Sequence, residues 1–142
     1  MEHDIILQVG VKVLLRNKDG KYLLLRRSLE KYPEVEGRWD IVGGRINPGK
    51  TLFENLQREV QEETALNIVT TPRLVGAQDI LRSKNRHVVR LTYVGEAVGE
   101  IALDTAEHDA YEWYTRDEII GLTDLDMYLK ELLHDTSLWS AR

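Results

Sequence analysis

Residues 5–15 are dominated by Val, Ile and Leu, and after Asn17-Lys18-Asp19-Gly20 a second apolar stretch occupies residues 21–27. Two apolar runs around such a turn predict a β-hairpin. Residues 28–38 are polar and include Pro33 and Gly37, which marks a loop into a short strand, Trp39-Asp40-Ile41-Val42, ended by Gly43-Gly44. The period then changes. Thr51-Leu52-Phe53-Glu54 has the form of a capping box, and Leu52, Leu56 and Val60 recur at helical spacing, so a helix is expected to run to about Thr64. Residues 74–81 and 87–97 predict two strands joined by the basic turn Arg82-Ser83-Lys84-Asn85-Arg86, with a further strand over 110–114. Thr115-Arg116-Asp117-Glu118 repeats the capping box, and Leu125, Leu129, Leu132 and Leu133 stripe one face of a final helix. Hairpin, strand, helix, hairpin, strand, helix is the order of an α+β fold, a mixed sheet sandwiched between helical layers.

A chain of 142 residues is long enough for one domain with its own core and too short for two, so a single domain over 1–142 is expected. The net charge is −5, and residues 99–142 alone hold eleven acidic against three basic side chains. That balance leaves no broad basic surface and disfavours binding to a nucleic-acid duplex. With no Cys, disulfide scaffolds, thiolate metal sites and cysteine nucleophiles are excluded. Met1-Glu2-His3-Asp4 lacks a basic start followed by an apolar segment, and no run approaches the ~20 apolar residues of a membrane span. A cytoplasmic protein without a membrane partner is the expectation.

The densest chemistry lies in Arg58-Glu59-Val60-Gln61-Glu62-Glu63. At ~100° per residue, Glu59, Glu62 and Glu63 crowd one face of a helical turn. Their repulsion is costly unless a counter-charge is present, and a hard divalent ion such as Mg²⁺ suits an all-oxygen ligand set. The alternative is a solvated acidic helix face. The upstream pair Gly43-Gly44 favours the metal, because backbone there can approach an ion or a phosphate.

The stretch 44–66 resembles the Nudix box, the signature of hydrolases acting on nucleoside diphosphates linked to another group. Its pattern is Gly, five residues, Glu, seven residues, then Arg-Glu-aliphatic-x-Glu-Glu-x-Gly-aliphatic. Seven of the nine defined positions match: Gly44, Arg58, Glu59, Val60, Glu62, Glu63 and Leu66. Two depart. Lys50 replaces the first Glu, and a bridge from Glu54 to both Lys50 and Arg58 is expected to restore local balance. Ala65 replaces the Gly that ends the helix in a left-handed turn, which is expected to pass to Asn67.

The resemblance implies a Nudix fold, an α/β/α sandwich, and a Mg²⁺-dependent pyrophosphohydrolase, with Mn²⁺ able to substitute. It implies that Gly44 through its carbonyl, Glu59, Glu62 and Glu63 bind the metal, that Arg58 orients the carboxylates, and that Glu62 or Glu107 accepts the proton of the attacking water. For the rest of the substrate it points to Arg27 at the end of a strand, to Asp40 facing a nucleobase, and to Asp124 and Asp126 at the last helix. Each has a plainer reading: a surface arginine, a strand residue, two helix-capping residues. Arg82, Lys84 and Arg86 are candidates for drawing in polyphosphate, or simply a solvated edge.

Subfamily markers are mostly absent. Leu81 stands where ADP-ribose hydrolases of the family carry Pro, residues 82–84 hold no Tyr of the dinucleoside-polyphosphate type, and Lys31 and Val35 interrupt a coenzyme A motif begun at 23–28. A MutT-like (deoxy)nucleoside triphosphate hydrolase, monomer or homodimer, is therefore the leading expectation. The alternatives are a hydrolase of ADP-ribose or another nucleotide sugar, and a non-catalytic nucleotide-binding sensor.

Overall fold

The centre of the sheet is β1 (Ile6–Arg16), in a computed structural model that describes residues 4–139. Met1, Glu2 and His3, the start of the segment read for a leader, lie outside the described residues. β1 runs parallel to β7 (Arg86–Val98) from Ile6↔Arg86 to Arg16↔Glu96 and antiparallel to β4 (Val42–Arg45) from Gly10↔Arg45 to Val13↔Val42. β2 (Tyr22–Arg27) meets β1 at Arg16↔Tyr22 and then pairs antiparallel with β3 (Trp39–Asp40) and β8 (His108–Tyr114). β5 (Asn67–Ile68) and β6 (Arg73–Ser83) both pair antiparallel with β7.

Alternation along β1 sorts the core into two layers. Val11, Val13 and Leu15 join Leu23, Leu25 and Val42 against Leu56 and Val60 of α1 (Leu52–Thr64). On the opposite face Leu14, Leu24 and Ile41 pack on Ile119 of α2 (Arg116–Ile120), Leu129 of α3 (Met127–Leu132) and Leu138 of α4 (Thr136–Trp139). This is the expected α+β sandwich. No helix among the described residues is long and apolar enough to cross a membrane.

Four local expectations are corrected. The strand at 39–42 is interrupted at Ile41, and Gly43-Gly44 does not end a strand but lies within β4, paired with β1. The stripe from Leu125 to Leu133 is not one helix. Asp126 caps α3 by accepting from the Tyr128 and Leu129 amides, while Leu125 bridges to Trp39 before it; Asp135, accepting from the Ser137 amide, restarts the chain as α4.

Ala65, rather than Asn67, takes the left-handed turn after α1, with φ 64° and its amide donating to the Gln61 carbonyl. An L side chain there is strained, so Ala65→Gly is expected to stabilise the fold by about 0.5–1 kcal/mol. Urea denaturation checks this; an unchanged or lowered midpoint would show that the turn stores no strain.

Finally, Glu54 bridges neither Lys50 nor Arg58. It closes the capping box on the Thr51 amide at 3.0 Å. The buried Asn55 does the joining: its Oδ1 accepts from the Asn47 amide at 2.8 Å and from Arg58 at 3.0 Å, and its Nδ2 donates to the Thr51 carbonyl at 2.8 Å. The loop is thus tied to the helix by a neutral amide where the resemblance leads one to look for a carboxylate.

Candidate active site

A cleft of about 830 Å³ opens between β4, the start of α1's neighbouring loop, the loop before β8 and the N-terminus of α3. Acidic groups hold one end. Glu59 and Glu63, one helical turn apart on α1, have largely buried side chains, 12% and 3% exposed. They reach the cleft past Gly43 and Gly44. A side chain at Gly43, where φ is +145°, would drive into the Val11 carbonyl, and a Cβ at Gly44 would come within 2.8 Å of the Glu59 carboxylate. The Gly43 amide donates to Glu63 Oε2 at 3.0 Å. Burial pushes the Glu63 acid up to about 9, helped by its hydrogen bond and repulsion with Glu59 and opposed by the Lys12 ammonium.

Glu107 and His108 complete this end. One donor atom each from Glu63, Glu107 and His108 lies within 4.8 Å of the others. His108 Nδ1 is buried without a hydrogen-bond partner, 3.7 Å from Glu63 Oε1, too far for a hydrogen bond. Burial and the nearby Lys12 cation pull its imidazole down to about 4, so it is neutral at pH 7 and that contact is not an ion pair. Glu107 is half-exposed and holds Lys31 Nζ at 2.6 Å through Oε1. The donor set fits a hard divalent cation on two counts: two carboxylates share a buried hydrogen bond, and a glycine leaves room beside them.

Arg58 and Glu62 sit differently. Arg58 NH1 donates to Glu59 Oε1 at 3.0 Å and Glu62 Oε2 at 3.2 Å, and NH2 to the Arg45 carbonyl at 3.2 Å. Arg58 therefore aims one carboxylate of the helix face at the cleft and holds the other outside it. The Glu62 side chain is 57% exposed and does not line the cleft.

Cations line the same cleft close by, Arg27 of β2 pairing across to His108 of β8. Arg27 lines the cleft and donates to Asp40 at 2.6 Å, to the Gly37 carbonyl at 3.3 Å and to Asp126 at 3.4 Å. Asp40 does not face a nucleobase: it is buried beneath the cleft, where Arg90, Lys12 and Arg27 hold it. Asp126 lines the wall, whereas Asp124 lies outside, accepting from the Arg38 amide at 3.0 Å. Of the basic turn, Arg82 lines the cleft, with its guanidinium 5.6 Å from the Tyr128 ring centre, and Lys84 and Arg86 do not.

Lys12, Arg90, Asn55 and His108 are the residues that sequence reasoning passes over. Lys12 and Arg90 carried a usable signal, since each puts a charge on the inward side of an apolar alternating strand. His108 sits beside Glu107 on the loop already singled out.

A mixed sheet between helical layers, with carboxylates and arginines lining one cleft, defines an α+β sandwich domain with a charged site. The chain belongs to the NUDIX domain family, whose model matches residues 6–136. It is 28% identical over 111 residues to a "MutT-like protein" of Streptomyces ambofaciens, covering 78% of this chain and 66% of that one. To the human 8-oxo-dGDP phosphatase NUDT18 it is 30% identical over 112 residues, 76% of this chain but 32% of the relative, so this chain spans only part of these relatives' length. The crystal structure of a MutT protein from Methanosarcina mazei Go1 superposes with a TM-score of 0.78 at 29% identity, covering 96% of both chains.

Proposed function

We propose that the protein is a Mg²⁺-dependent pyrophosphohydrolase of nucleoside di- or triphosphate derivatives, with a MutT-like (deoxy)nucleoside triphosphate activity as the leading case. The buried Glu59–Glu63 pair beside Gly44 carries this reading, because two carboxylates so placed are stabilised by a shared cation. Gly44, Glu59 and Glu63 would hold it, Glu62 being turned outward on Arg58, and Mn²⁺ would serve in place of Mg²⁺. When bound, the ion supplies charge neutralisation for the diphosphate.

The chain's own groups supply the rest. Arg58 orients Glu59. Arg27 and Asp126, which line the same cleft, form the wall for the nucleoside. As water attacks one phosphorus and the P–O bond to the leaving phosphate breaks, the water's proton passes to a carboxylate. Glu107 is suited to take it, since Lys31 engages Oε1 and leaves Oε2. The human relative's name, an 8-oxo-dGDP phosphatase, supports a nucleotide substrate.

Formation of nucleotide products and of pyrophosphate or sugar phosphate from dNTPs, 8-oxo-dGTP, CTP, ADP-ribose, nucleotide sugars and dinucleoside polyphosphates, with Mg²⁺ or Mn²⁺, tests the reading. Turnover is expected with at least one nucleoside triphosphate, and Mg²⁺ alone is expected to raise the melting temperature of the wild type but not of an E59Q/E63Q variant. Turnover confined to ADP-ribose or a sugar nucleotide would move the assignment there. Nucleotide binding with no turnover would make the domain a sensor.

A further inference from the structure

His108 enters the cleft through a β-bulge. Arg26 pairs with Ala110 and Arg27 with His108, so Asp109 is an extra residue in β8. Asp109 turns away to Arg26 at 2.6 Å and Arg38 at 2.7 Å, whereas the His108 side chain is only 8% exposed and lines the cleft. Bulges beside active sites commonly re-aim a side chain in this way. The loop leading to the bulge is anchored on residue 63 itself. The Asp104 amide donates to the Glu63 carbonyl at 3.1 Å, and the Asp104 carbonyl accepts from the His108 amide at 3.2 Å. Two backbone hydrogen bonds therefore fix the ring relative to the carboxylate.

The two oxygens of Glu63 face different groups. Oε2 accepts from the Gly43 amide at 3.0 Å, and Oε1 faces His108 Nδ1 at 3.7 Å. That nitrogen is buried without a hydrogen-bond partner, and Glu107 brings a third donor atom within 4.8 Å of both. A buried polar atom left without a partner in a folded protein calls for an explanation, and a bound ion is one. Imidazole nitrogen is also the commonest metal ligand. Oxygen ligands alone suit Mg²⁺, and adding an imidazole shifts preference toward first-row transition ions. We propose that His108 Nδ1 is a ligand, beside Glu63, to the cation of this cleft, and that its nitrogen selects transition ions over Mg²⁺. This rests on the proposed cation-dependent reading, in which Glu63 holds the ion.

Electron spin echo modulation of the Mn²⁺-loaded protein reads the ligand without any turnover. Nitrogen coupling is expected in wild type, is expected to change to the ¹⁵N pattern when histidine alone is ¹⁵N-labelled, and is expected to be absent in H108F. The other described histidines stand elsewhere: His87 meets Asp79 at 2.7 Å, and neither it nor His134 lines the cleft. In titrations with the metals alone, the ratio of Kd for Mg²⁺ to Kd for Co²⁺ is expected to fall at least about tenfold in H108F, almost all of it through weaker Co²⁺ binding. Mn²⁺ bound in wild type without coupling to histidine nitrogen, or an unchanged ratio in folded H108F, overturns the role of His108 and leaves the cation reading standing. Should H108F not fold, the labelled wild type decides by itself. A wild type that binds neither Mn²⁺ nor Mg²⁺ sinks the cation reading, and the inference with it.

Discussion

Glu63→Gln is expected to lower turnover of the best substrate by about 10²–10³-fold, the scale of losing one preorganised electrostatic group at a reacting centre. The melting temperature of the cation-free protein should hardly change. The two outcomes separate because Glu63, with its acid raised to about 9, carries its proton at neutral pH in the cation-free protein. A glutamine is close in shape and polarity to that protonated acid, and its carbonyl can still accept from the Gly43 amide now held at 3.0 Å. Glutamine cannot become an anion, so the cation-loaded form should lose its second charged ligand. Steady-state kinetics and thermal melts of the same preparation check both halves. Turnover above a third of wild type would remove Glu63 from the chemistry, and a large fall in melting temperature would mean that the side chain is needed for the fold instead.

The helix bearing this residue was legible because its signals are local. Thr51 and Glu54 close a capping box three residues apart, and Leu56 and Val60 share a face by spacing alone. The sandwich followed from β1, whose alternation sends Val11 and Val13 one way and Leu14 the other. The cleft wall was not legible in the same way. Arg90 on β7 meets Asp40 on β3 across fifty residues of chain, and it takes the sheet order β3-β2-β1-β7 to bring the two near each other. The resemblance turns Asp40 toward a nucleobase, and nothing adjacent in sequence announces its three cations. Helical periodicity also carried the last helix too far. Leucine spacing cannot show that Asp126 begins one helix and Asp135 starts another, since those breaks depend on side-chain capping of nearby amides.

Asp40→Asn is expected to produce the largest loss of stability, about 3–5 kcal/mol, because removing one partner of a buried ion cluster leaves the others uncompensated. The Asp40 side chain is 2% exposed and takes Arg27 at 2.6 Å, Arg90 at 3.0 Å and Lys12 at 3.3 Å. An amide keeps the volume and can still accept hydrogen bonds, but its second position offers only an N–H to the surrounding cations. The same cluster sets a pH dependence. Burial alone would raise the Asp40 acid, yet Arg90, Lys12 and Arg27 outweigh it and hold the carboxyl well below its ordinary value of 3.8. The folded state therefore binds fewer protons at this residue than the unfolded state once the pH drops toward that ordinary value. Its contribution is full at neutral pH, begins to fall near pH 4, and continues to decline as the pH approaches the depressed value of the folded form. Urea denaturation from pH 7 down to pH 3 should give a midpoint that falls more steeply for wild type than for Asp40→Asn, which has no proton to gain at this position. Parallel curves for the two proteins would mean that acid sensitivity arises elsewhere, and a loss below 1 kcal/mol at pH 7 would mean that the three cations find water once the carboxylate is gone.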